Sequence, residues 1–364
     1  MFVISTRNFP PDIGGMQNLM GGLANALTNH GPVKVFADKS DGFEKYDESS
    51  KLQIERFGGI KLFRKYRKAN QIKNFLKDKQ NIRSIFFDHW KSLEKINFES
   101  IQSIPSFCLI HSKEINHDIG SALNKRILNS VRKVKFIIAN SNFTKNLGIK
   151  VGISEKKIHL IHPGCDNPEK IDKENNIKAQ NLFKDSFPKL ITVARLDPRK
   201  NHKTILLCIR NLKEKFPKIK YISIGDGNEK NSLLQLSKEL KIEKQVLFLP
   251  KTNNKLKSAL IKNSNLFLMP SIIFKKSIEG FGISFIEAAS YGIGSIGGKD
   301  GGAKDAIQNE QTGLICDGKD INSLYECIIK SFQNDNYKKY GLKAMEFSKK
   351  FDWKIVVKKY LSLI

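Results

Sequence analysis

The feature that most constrains the fold is an alternation of short apolar runs, rich in β-branched and aromatic residues, with segments of helical periodicity. The alternation stops at the polar stretch 166–185, which we interpret as a linker, and begins again near Leu190. This pattern predicts two doubly wound α/β units with parallel sheets, followed by a tail, 321–363, that is helical throughout. The expected strands are 2–5, 33–36, 84–87, 107–110, 135–139, 158–161, 190–194, 221–224, 246–248, 266–269 and 295–296.

The composition excludes several classes of protein. A length of 364 residues with 40% hydrophobic residues suits two domains, each with its own core. No apolar run reaches the ~20 residues of a membrane span, and the amino terminus lacks a signal-peptide pattern. The five cysteines are scattered without a C-x-x-C pair, which argues against a zinc site or a disulfide framework. We therefore expect a cytoplasmic protein.

The charge balance limits the partners. Lys and Arg number 63 against 36 Asp and Glu, a formal net charge of +27. Such an excess favours nucleic acid, an acidic membrane surface or phosphorylated substrates. The sequence has no RNA-stacking motif and no recognition-helix signature, so nucleic acid is not an expected partner.

Two loops that follow predicted strands have the chemistry of phosphate sites. Gly14 and Gly15, between the first strand and the first helix, allow the backbone to approach an anion at the helix start, or serve a tight turn. Arg195 and Lys200, after the first strand of the second half, can clamp a diphosphate, or form a solvated basic turn. The residues alone leave both pairs of alternatives open.

The most specific arrangement is a pair of carboxylates, Glu279 and Glu287, with seven residues between them. Gly280 and Gly282 let the chain turn into a helix whose amino terminus can hold an anion. Glu287, further along that helix, can accept hydrogen bonds from ligand hydroxyls. The alternative is an acid at a helix start followed by a surface glutamate.

Two further groups follow strands of the first half. His111 ends the strand 107–110 and can orient a substrate, although a lone histidine is more often structural. Asp88, His89 and Trp90 end the strand 84–87 and are candidates for lining an acceptor pocket.

Together these residues resemble the GT-B retaining glycosyltransferases of the family 4 type, over nearly the whole chain. Glu279–Glu287 is similar to the family's E-x7-E signature, and Arg195 and Lys200 to its diphosphate clamp. The resemblance implies two facing Rossmann-like domains: 1–165 for the acceptor, 166–350 for the nucleotide sugar, and a helix, 351–364, that crosses back to the first domain. The glycine-rich segments 225–227 and 301–302 stand in family order, whereas Gly294 and Asp305 replace the usual proline and glutamate.

The resemblance also implies a role for each candidate. Arg195 and Lys200 would hold the donor diphosphate, Glu287 the ribose, and Glu279 the sugar. The implied catalytic residues are His111 and Glu279, and the implied donor-binding residues are Gly14, Gly15, Arg195, Lys200, Phe281, Gly282, Ile283 and Glu287.

The implied reaction uses a UDP-, GDP- or ADP-sugar and retains the anomeric configuration. The chain has no D-x-D pair, so neither a metal nor another cofactor is expected, and positive side chains would stabilise the leaving nucleoside diphosphate. A nucleotide-sugar epimerase of the same fold and a pyridoxal-dependent phosphorylase are the alternative enzymes. Detection of sugar transfer to an acceptor distinguishes a glycosyltransferase from an epimerase. Ultraviolet-visible absorbance of the purified protein would reveal the pyridoxal cofactor of a phosphorylase.

A basic segment from Lys61 to Lys79 bears on the acceptor. It holds eight basic residues and one acid, and its apolar residues recur at helical spacing. This indicates either a surface helix packed on the sheet or a helix that docks on the anionic inner face of the cell membrane. The second hypothesis predicts a membrane lipid or a lipid-linked saccharide as the acceptor. The apolar residues of the stripe are Leu62, Tyr66, Ala69, Ile72 and Leu76.

Overall fold

The computed structural model describes residues 1–78 and 81–364, and the chain divides into two compact units. The first unit is Met1–Asp166 with Phe351–Ile364, and the second is Asn167–Lys350. Each is a parallel sheet with helices on both faces, so the doubly wound α/β class expected from the sequence is confirmed. Across the described residues, no helix combines the length and apolar character that a bilayer crossing requires.

The first unit contains a seven-stranded sheet in the order β3-β2-β1-β4-β5-β6-β7, parallel throughout. Its central strands are buried on both faces, and consecutive residues alternate between two cores: Phe2 and Ile4 face one, and Val3 faces the other. The elements are β1 Phe2–Thr6, α1 Gly15–Thr28, β2 Val33–Asp38, α2 Phe43–Ser49, β3 Gln53–Phe57, α3 Lys61–Asp78, β4 Ser84–Phe87, α4 Trp90–Leu93, β5 Ser106–Ile110, α5 Ala122–Val131, β6 Phe136–Ala139, α6 Asn142–Lys150 and β7 Ile158–Leu160.

The second unit contains a six-stranded parallel sheet in the order β10-β9-β8-β11-β12-β13. Leu190, Tyr221 and Leu268 of its central strands pack in one core with Ile205 and Leu324 of the covering helices. The elements are α7 Lys173–Leu182, β8 Lys189–Val193, α8 His202–Lys215, β9 Lys220–Ile224, α9 Lys230–Glu239, β10 Val246–Leu249, α10 Asn254–Lys262, β11 Leu266–Met269, α11 Ile283–Ser290, β12 Ser295–Gly298, α12 Ala303–Ala306, β13 Gly313–Cys316, α13 Ile321–Phe332 and α14 Asn336–Ser348.

The last helix, α15 (Trp353–Leu361), belongs to the core of the first unit. Trp353 is buried, and a Cβ added at Gly22 of α1 or at Gly164 would overlap its indole ring. Tyr360 meets Phe86 and Phe107 edge-on, with ring centroids 5.9 and 6.1 Å apart. The chain therefore ends on the sheet with which it begins.

Two strands that the sequence analysis missed, β3 and β13, lie at the edges of the two sheets. β3 is only half-buried and includes Gln53, Glu55 and Arg56, so it lacks a continuous apolar run. β13 has four residues and begins with a glycine. Edge strands pair on one side only, and the apolar signal that identifies central strands is correspondingly weak in them.

One prediction about irregular segments was wrong. The stretch 166–185 contains the helix α7, which Asp172 caps by accepting a hydrogen bond from the Asn175 amide, and which buries Ala179. Few residues of α7 are buried, so its apolar periodicity is faint. The tail consists of helices, as predicted, but Asn334 and Asp335 adopt the left-handed region at φ 50 and 55° and separate α13 from α14.

The packing of α15 gives a test of how much it stabilises the first unit. Trp353→Ala should lower the free energy of unfolding of that unit by about 3 kcal/mol, because it removes a buried indole enclosed by two glycines. Urea unfolding followed by the fluorescence of Trp90, which is buried in the same unit, measures the change. Ile355→Ala is the matched control, since Ile355 lies on the same helix and is 45% exposed. Equal effects of the two substitutions would contradict the assignment.

Candidate functional site

In the second unit, a buried cluster of charges joins the loop after β8 to the segment before α11. Lys200 closes a short 3-10 turn, Pro198–Lys200, which Asp197 caps by accepting from the Lys200 amide. The Lys200 Nζ lies 2.5 Å from a carboxylate oxygen of Glu279, and Arg199 pairs with the same oxygen. Glu279 is 9% exposed and Lys200 is 8% exposed. We call these three residues the Glu279 cluster.

The Glu279 cluster carries one more positive than negative charge. Burial by itself would raise the pKa of Glu279, but the neighbouring charges of Lys200 and Arg199 and their hydrogen bonds lower it to about 2. The carboxylate is therefore ionised at neutral pH. The cluster thus places a fixed net positive charge at the carboxyl ends of β8 and β11, the edge where α/β sheets bind ligands.

Arg195 lies on the same loop but outside the cluster. Its side chain is 74% exposed and pairs with Asp197 at 3.2 Å. The two residues of the predicted clamp thus differ: Lys200 is buried against Glu279, and Arg195 faces solvent. The exposed guanidinium of Arg195 is accessible to a ligand. That Arg195 and Lys200 together clamp a diphosphate stays a prediction.

His202, which the sequence analysis passed over, holds this loop in place. It is fully buried at the start of α8, with Nε2 at 3.2 Å from the Arg195 carbonyl oxygen and Nδ1 at 3.1 Å from the Tyr221 hydroxyl. Burial lowers the pKa of His202 to about 4, which keeps the imidazole neutral. The preceding Asn201 donates to the carbonyls of Pro270 and Gly318. The only signal in the sequence is the position of His202 two residues after Lys200.

The glycines around Glu279 have local structural reasons. Gly282 precedes α11 with φ 92°, a left-handed conformation that suits glycine, and an added Cβ would also meet the Phe285 ring. Gly301 takes φ 87° against the Glu279 carbonyl, which accepts a hydrogen bond from the Gly302 amide at 2.9 Å. Phe281 is buried, and Ile283 begins the helix. The glycine pair thus fixes the backbone of Glu279.

Glu287 lies one turn into α11 and is half-buried. Its carboxylate pairs with Lys257 of α10. These two residues are thirty positions apart along the chain, and no motif links them. Lys257 therefore orients Glu287, and a ligand hydroxyl that binds Glu287 has to share the carboxylate with it.

In the first unit, His111 follows β5 and is fixed by its neighbours. Its Nε2 lies 2.9 Å from the Asp88 carbonyl oxygen, and its backbone amide donates to Glu114 at 2.5 Å. It also borders a small cavity of about 180 Å³ whose walls include Leu19, Ile138 and Tyr360. The catalytic part of His111 stays a prediction.

The three residues after β4 differ in exposure. Asp88 is fully buried, and its carboxylate accepts from the Thr6 hydroxyl at 3.0 Å, the Arg7 amide at 2.9 Å and the Ser92 hydroxyl at 2.5 Å. Trp90 is 1% exposed and donates to the Glu114 carbonyl at 3.1 Å. These contacts give Asp88 and Trp90 a structural role. That either residue lines an acceptor pocket stays a prediction.

His89 is the partly exposed member of the three. Its Nδ1 caps α4 by accepting from the Lys91 amide at 2.9 Å. Burial, together with the charges of His111, Arg7 and Lys91, lowers the pKa of His89 to about 2. A neutral imidazole can offer its other nitrogen as a donor, so contact with an acceptor remains a prediction for His89.

Gly14 and Gly15 differ from the glycines of the second unit. Gly14 has an extended backbone at φ 174°, which any residue adopts, and an added Cβ would meet only the side chain of Gln17. At Gly15 an added Cβ would contact nothing within 4 Å. The local geometry therefore does not require glycine at either position, which favours close approach of a ligand over the tight-turn alternative.

The basic helix α3 divides into two halves. Ile72 is buried, and Ala69 and Leu76 pack on the core of the first unit. Leu62 and Tyr66, predicted to lie on the same apolar stripe, are 57% and 51% exposed. The packed-helix alternative thus describes the second half of α3 only, and Lys79 lies outside the described residues.

Within residues 1–78 and 81–364, no group of three or more histidine, cysteine or acidic side chains is placed to hold a metal ion.

Comparison with known proteins identifies the family. The model of the glycosyl transferases group 1 matches residues 173–346, and the model of glycosyltransferase family 4 matches residues 13–167. The chain is a group 1 glycosyltransferase with the GT-B fold. A crystal structure of Anabaena Alr3699/HepE in complex with UDP superposes on it with a TM-score of 0.82 at 18% identity, covering 99% of this chain and 98% of that chain.

Two curated relatives of this glycosyltransferase act on lipid-linked acceptors by their names. A GDP-mannose-dependent alpha-(1-6)-phosphatidylinositol monomannoside mannosyltransferase of Mycolicibacterium smegmatis is 21% identical, covering 88% of this chain and 86% of that protein. A second relative is the N-acetylgalactosamine-N,N'-diacetylbacillosaminyl-diphospho-undecaprenol 4-alpha-N-acetylgalactosaminyltransferase of Campylobacter jejuni. It is 28% identical, covering 65% of this chain and 62% of that protein. The epimerase alternative receives no support from these relatives.

The buried His202 predicts how the second unit of the glycosyltransferase responds to pH. Its pKa is about 4 in the folded chain and 6.5 ordinarily, so in that window the unfolded chain binds a proton that the folded chain does not. The free energy of unfolding should therefore fall as the pH drops from about 6.5 to about 4, by roughly 3 kcal/mol in all.

Scanning calorimetry across this pH window tests the prediction. His202→Gln, which keeps a donor and an acceptor but does not titrate, should flatten the pH dependence of the second unit's transition. His30→Gln is the control, because His30 is exposed in the first unit. An unchanged slope in His202→Gln would show that other groups cause the dependence.

Proposed function

We propose that this glycosyltransferase moves a sugar from a nucleoside-diphosphate sugar to a hydroxyl of a membrane lipid or lipid-linked saccharide. The observation that carries the proposal is the Glu279 cluster, a fixed positive charge beside the start of α11, with the exposed Arg195 on the same loop. A diphosphate is the anion that such an arrangement suits best, because two cations and a helix amino terminus can share its charge.

In the proposed mechanism the positive groups act on the leaving group. Arg195 and Lys200 bind the donor diphosphate and stabilise the negative charge that develops as the bond to the sugar breaks. The backbone at Phe281, Gly282 and Ile283 offers amides to the phosphate, and Glu287 accepts from the ribose. These groups supply the charge stabilisation without a metal ion.

Three further roles complete the proposal. Glu279 accepts a hydrogen bond from the transferred sugar, and His111 binds that sugar from the first unit. Gly14 and Gly15 leave room for the donor phosphate. The acceptor hydroxyl attacks on the same face of the sugar from which the nucleoside diphosphate departs, and its proton passes to the departing phosphate oxygen. The anomeric configuration is therefore retained.

The proposed acceptor rests on two observations. Both named relatives act on lipid-linked acceptors. In addition, Leu62, Phe63 and Tyr66 of α3 expose apolar surface among basic residues, a combination that suits the interface of an anionic membrane. We propose that α3 docks the protein on the inner face of the cell membrane.

The donor site is tested by thermal shift with UDP-, GDP- and ADP-sugars, with and without a chelator. One nucleotide class should raise the melting temperature, and Arg195→Ala should weaken its binding about tenfold or more, since a charge-assisted contact is lost. Arg210→Ala, an exposed arginine on α8, should bind as the wild type does. Loss of binding in the chelator would contradict the metal-free mechanism, and normal binding by Arg195→Ala would contradict the clamp.

Membrane docking is tested by flotation with vesicles. The protein should float with vesicles of phosphatidylcholine and phosphatidylglycerol, and not with phosphatidylcholine alone. Leu62→Ser should reduce the floated fraction, because the apolar contact with the bilayer is lost. Leu342→Ser is the matched control, since Leu342 is 67% exposed in the second unit. Flotation independent of anionic lipid would count against the proposal.

A further inference from the structure

A second basic site lies in the first unit, whereas the Glu279 cluster belongs to the second. A shallow cleft opens at the carboxyl ends of β2, β1 and β4. Arg7 follows β1, Asp38 ends β2 and Lys91 lies in α4, which follows β4, while α3 forms the other wall. This is the same sheet edge that carries His111, because β5 is the next strand after β4.

The cleft is lined by seven basic side chains and one carboxylate, that of Asp38. Asp38 is already shared, since it pairs with Lys68 at 2.7 Å and Arg64 at 3.3 Å. Lys65, another of the lining residues, pairs with Glu94 at 3.6 Å. Within residues 1–78 and 81–364, no carboxylate pairs with the remaining four lining cations, which are Arg7, Lys61, Lys91 and Lys95.

The arrangement differs from an ordinary solvated basic face. Lys68 is 5% exposed, and its Nζ is held by the Thr6 carbonyl oxygen and Asp38, so a buried ion pair forms the floor of the cleft and engages its one carboxylate. The cations on the rim repel one another. Partial burial and the charges of Arg7, Lys61 and Lys65 lower the pKa of Lys91. An anion in the cleft would relieve this repulsion.

We propose that this cleft binds the phosphate or diphosphate group that joins the acceptor to its lipid. The proposal rests on the proposed function, and it names the part of the acceptor that the first unit recognises. Four cations that pair with no carboxylate of the described residues, on a concave surface, suit a compact anion with several acceptor oxygens.

The position of the cleft fits a lipid phosphate. Leu62 and Phe63, exposed at the start of α3, are next to Lys61 and Arg64 along the chain. If these apolar residues enter the bilayer, the lining cations lie at the depth of the lipid phosphates. A hydroxyl on the group attached to that phosphate would then be held at the sheet edge near His111.

The first experiment measures the reactivity of individual lysines in the full chain. An acylating reagent is applied with and without inorganic pyrophosphate at constant ionic strength, and peptides are quantified by mass spectrometry. Pyrophosphate should slow acylation of Lys61 and Lys91 about tenfold, because their amines become bonded to the anion. Lys77, exposed on the same helix outside the cleft, should react as before. Equal slowing at Lys77 or no slowing at Lys91 would overturn the proposal.

The second experiment separates a lipid phosphate from a soluble one. Vesicles of phosphatidylcholine mixed with phosphatidic acid should protect Lys61 and Lys91, and Leu62→Ser should weaken this protection without changing that by pyrophosphate. Protection by pyrophosphate but not by vesicles would overturn the lipid part of the proposal.

A transfer assay links the cleft to catalysis. Lys61→Gln with Lys91→Gln should raise KM for a phosphate-containing lipid acceptor about tenfold and leave KM for the donor unchanged. Lys73→Gln with Lys77→Gln removes the same charge from α3 outside the cleft and is the control. Because lysine protection needs neither donor nor turnover, protection without any transfer would refute the proposed function alone. Transfer without protection would refute the cleft alone.

Discussion

The buried pairing of Glu279 with Lys200 and Arg199 is the interaction on which the second unit's site depends. A buried charge is tolerated only when it is paired and hydrogen-bonded, and loss of one partner leaves the others uncompensated. This pairing ties the loop after β8 to the segment before α11. The Gly302 amide binds the Glu279 carbonyl and adds the loop after β12. Three separate loops are thus fixed by one acidic residue.

The same cluster explains how an anion site can exist before its ligand arrives. Two cations held by one carboxylate keep a net positive charge, while their side chains have already lost their rotamer freedom on folding. His202 extends this order to the exposed Arg195 by binding its carbonyl oxygen, and being neutral it adds no charge of its own. The first unit differs, since the cleft beside Asp38 is lined by seven basic side chains and one carboxylate. The positive charges there are therefore not balanced.

The sequence predicted what depends on local pattern and missed what depends on distant partners. The central strands were found because they are buried on both faces, whereas β3 and α7 have little apolar signal and the apolar run of β13 is only three residues long. Glu279 and Lys200 were singled out by their motifs, but their pairing joins residues 79 positions apart. The partners Arg199, His202 and Lys257 carry no motif and could be recognised only from three-dimensional proximity.

Helix α3 shows why spacing alone does not decide between packing and docking. Leu62, Tyr66, Ala69 and Ile72 recur at helical spacing, yet only the last two reach the core of the first unit. The remaining apolar surface lies beside cations that Asp38 does not neutralise. Exposed apolar surface is unfavourable in water, and neighbouring cations repel one another, so an anionic lipid surface would relieve both. One half of α3 thus packs on the core, and the other half carries the surface that the docking proposal needs.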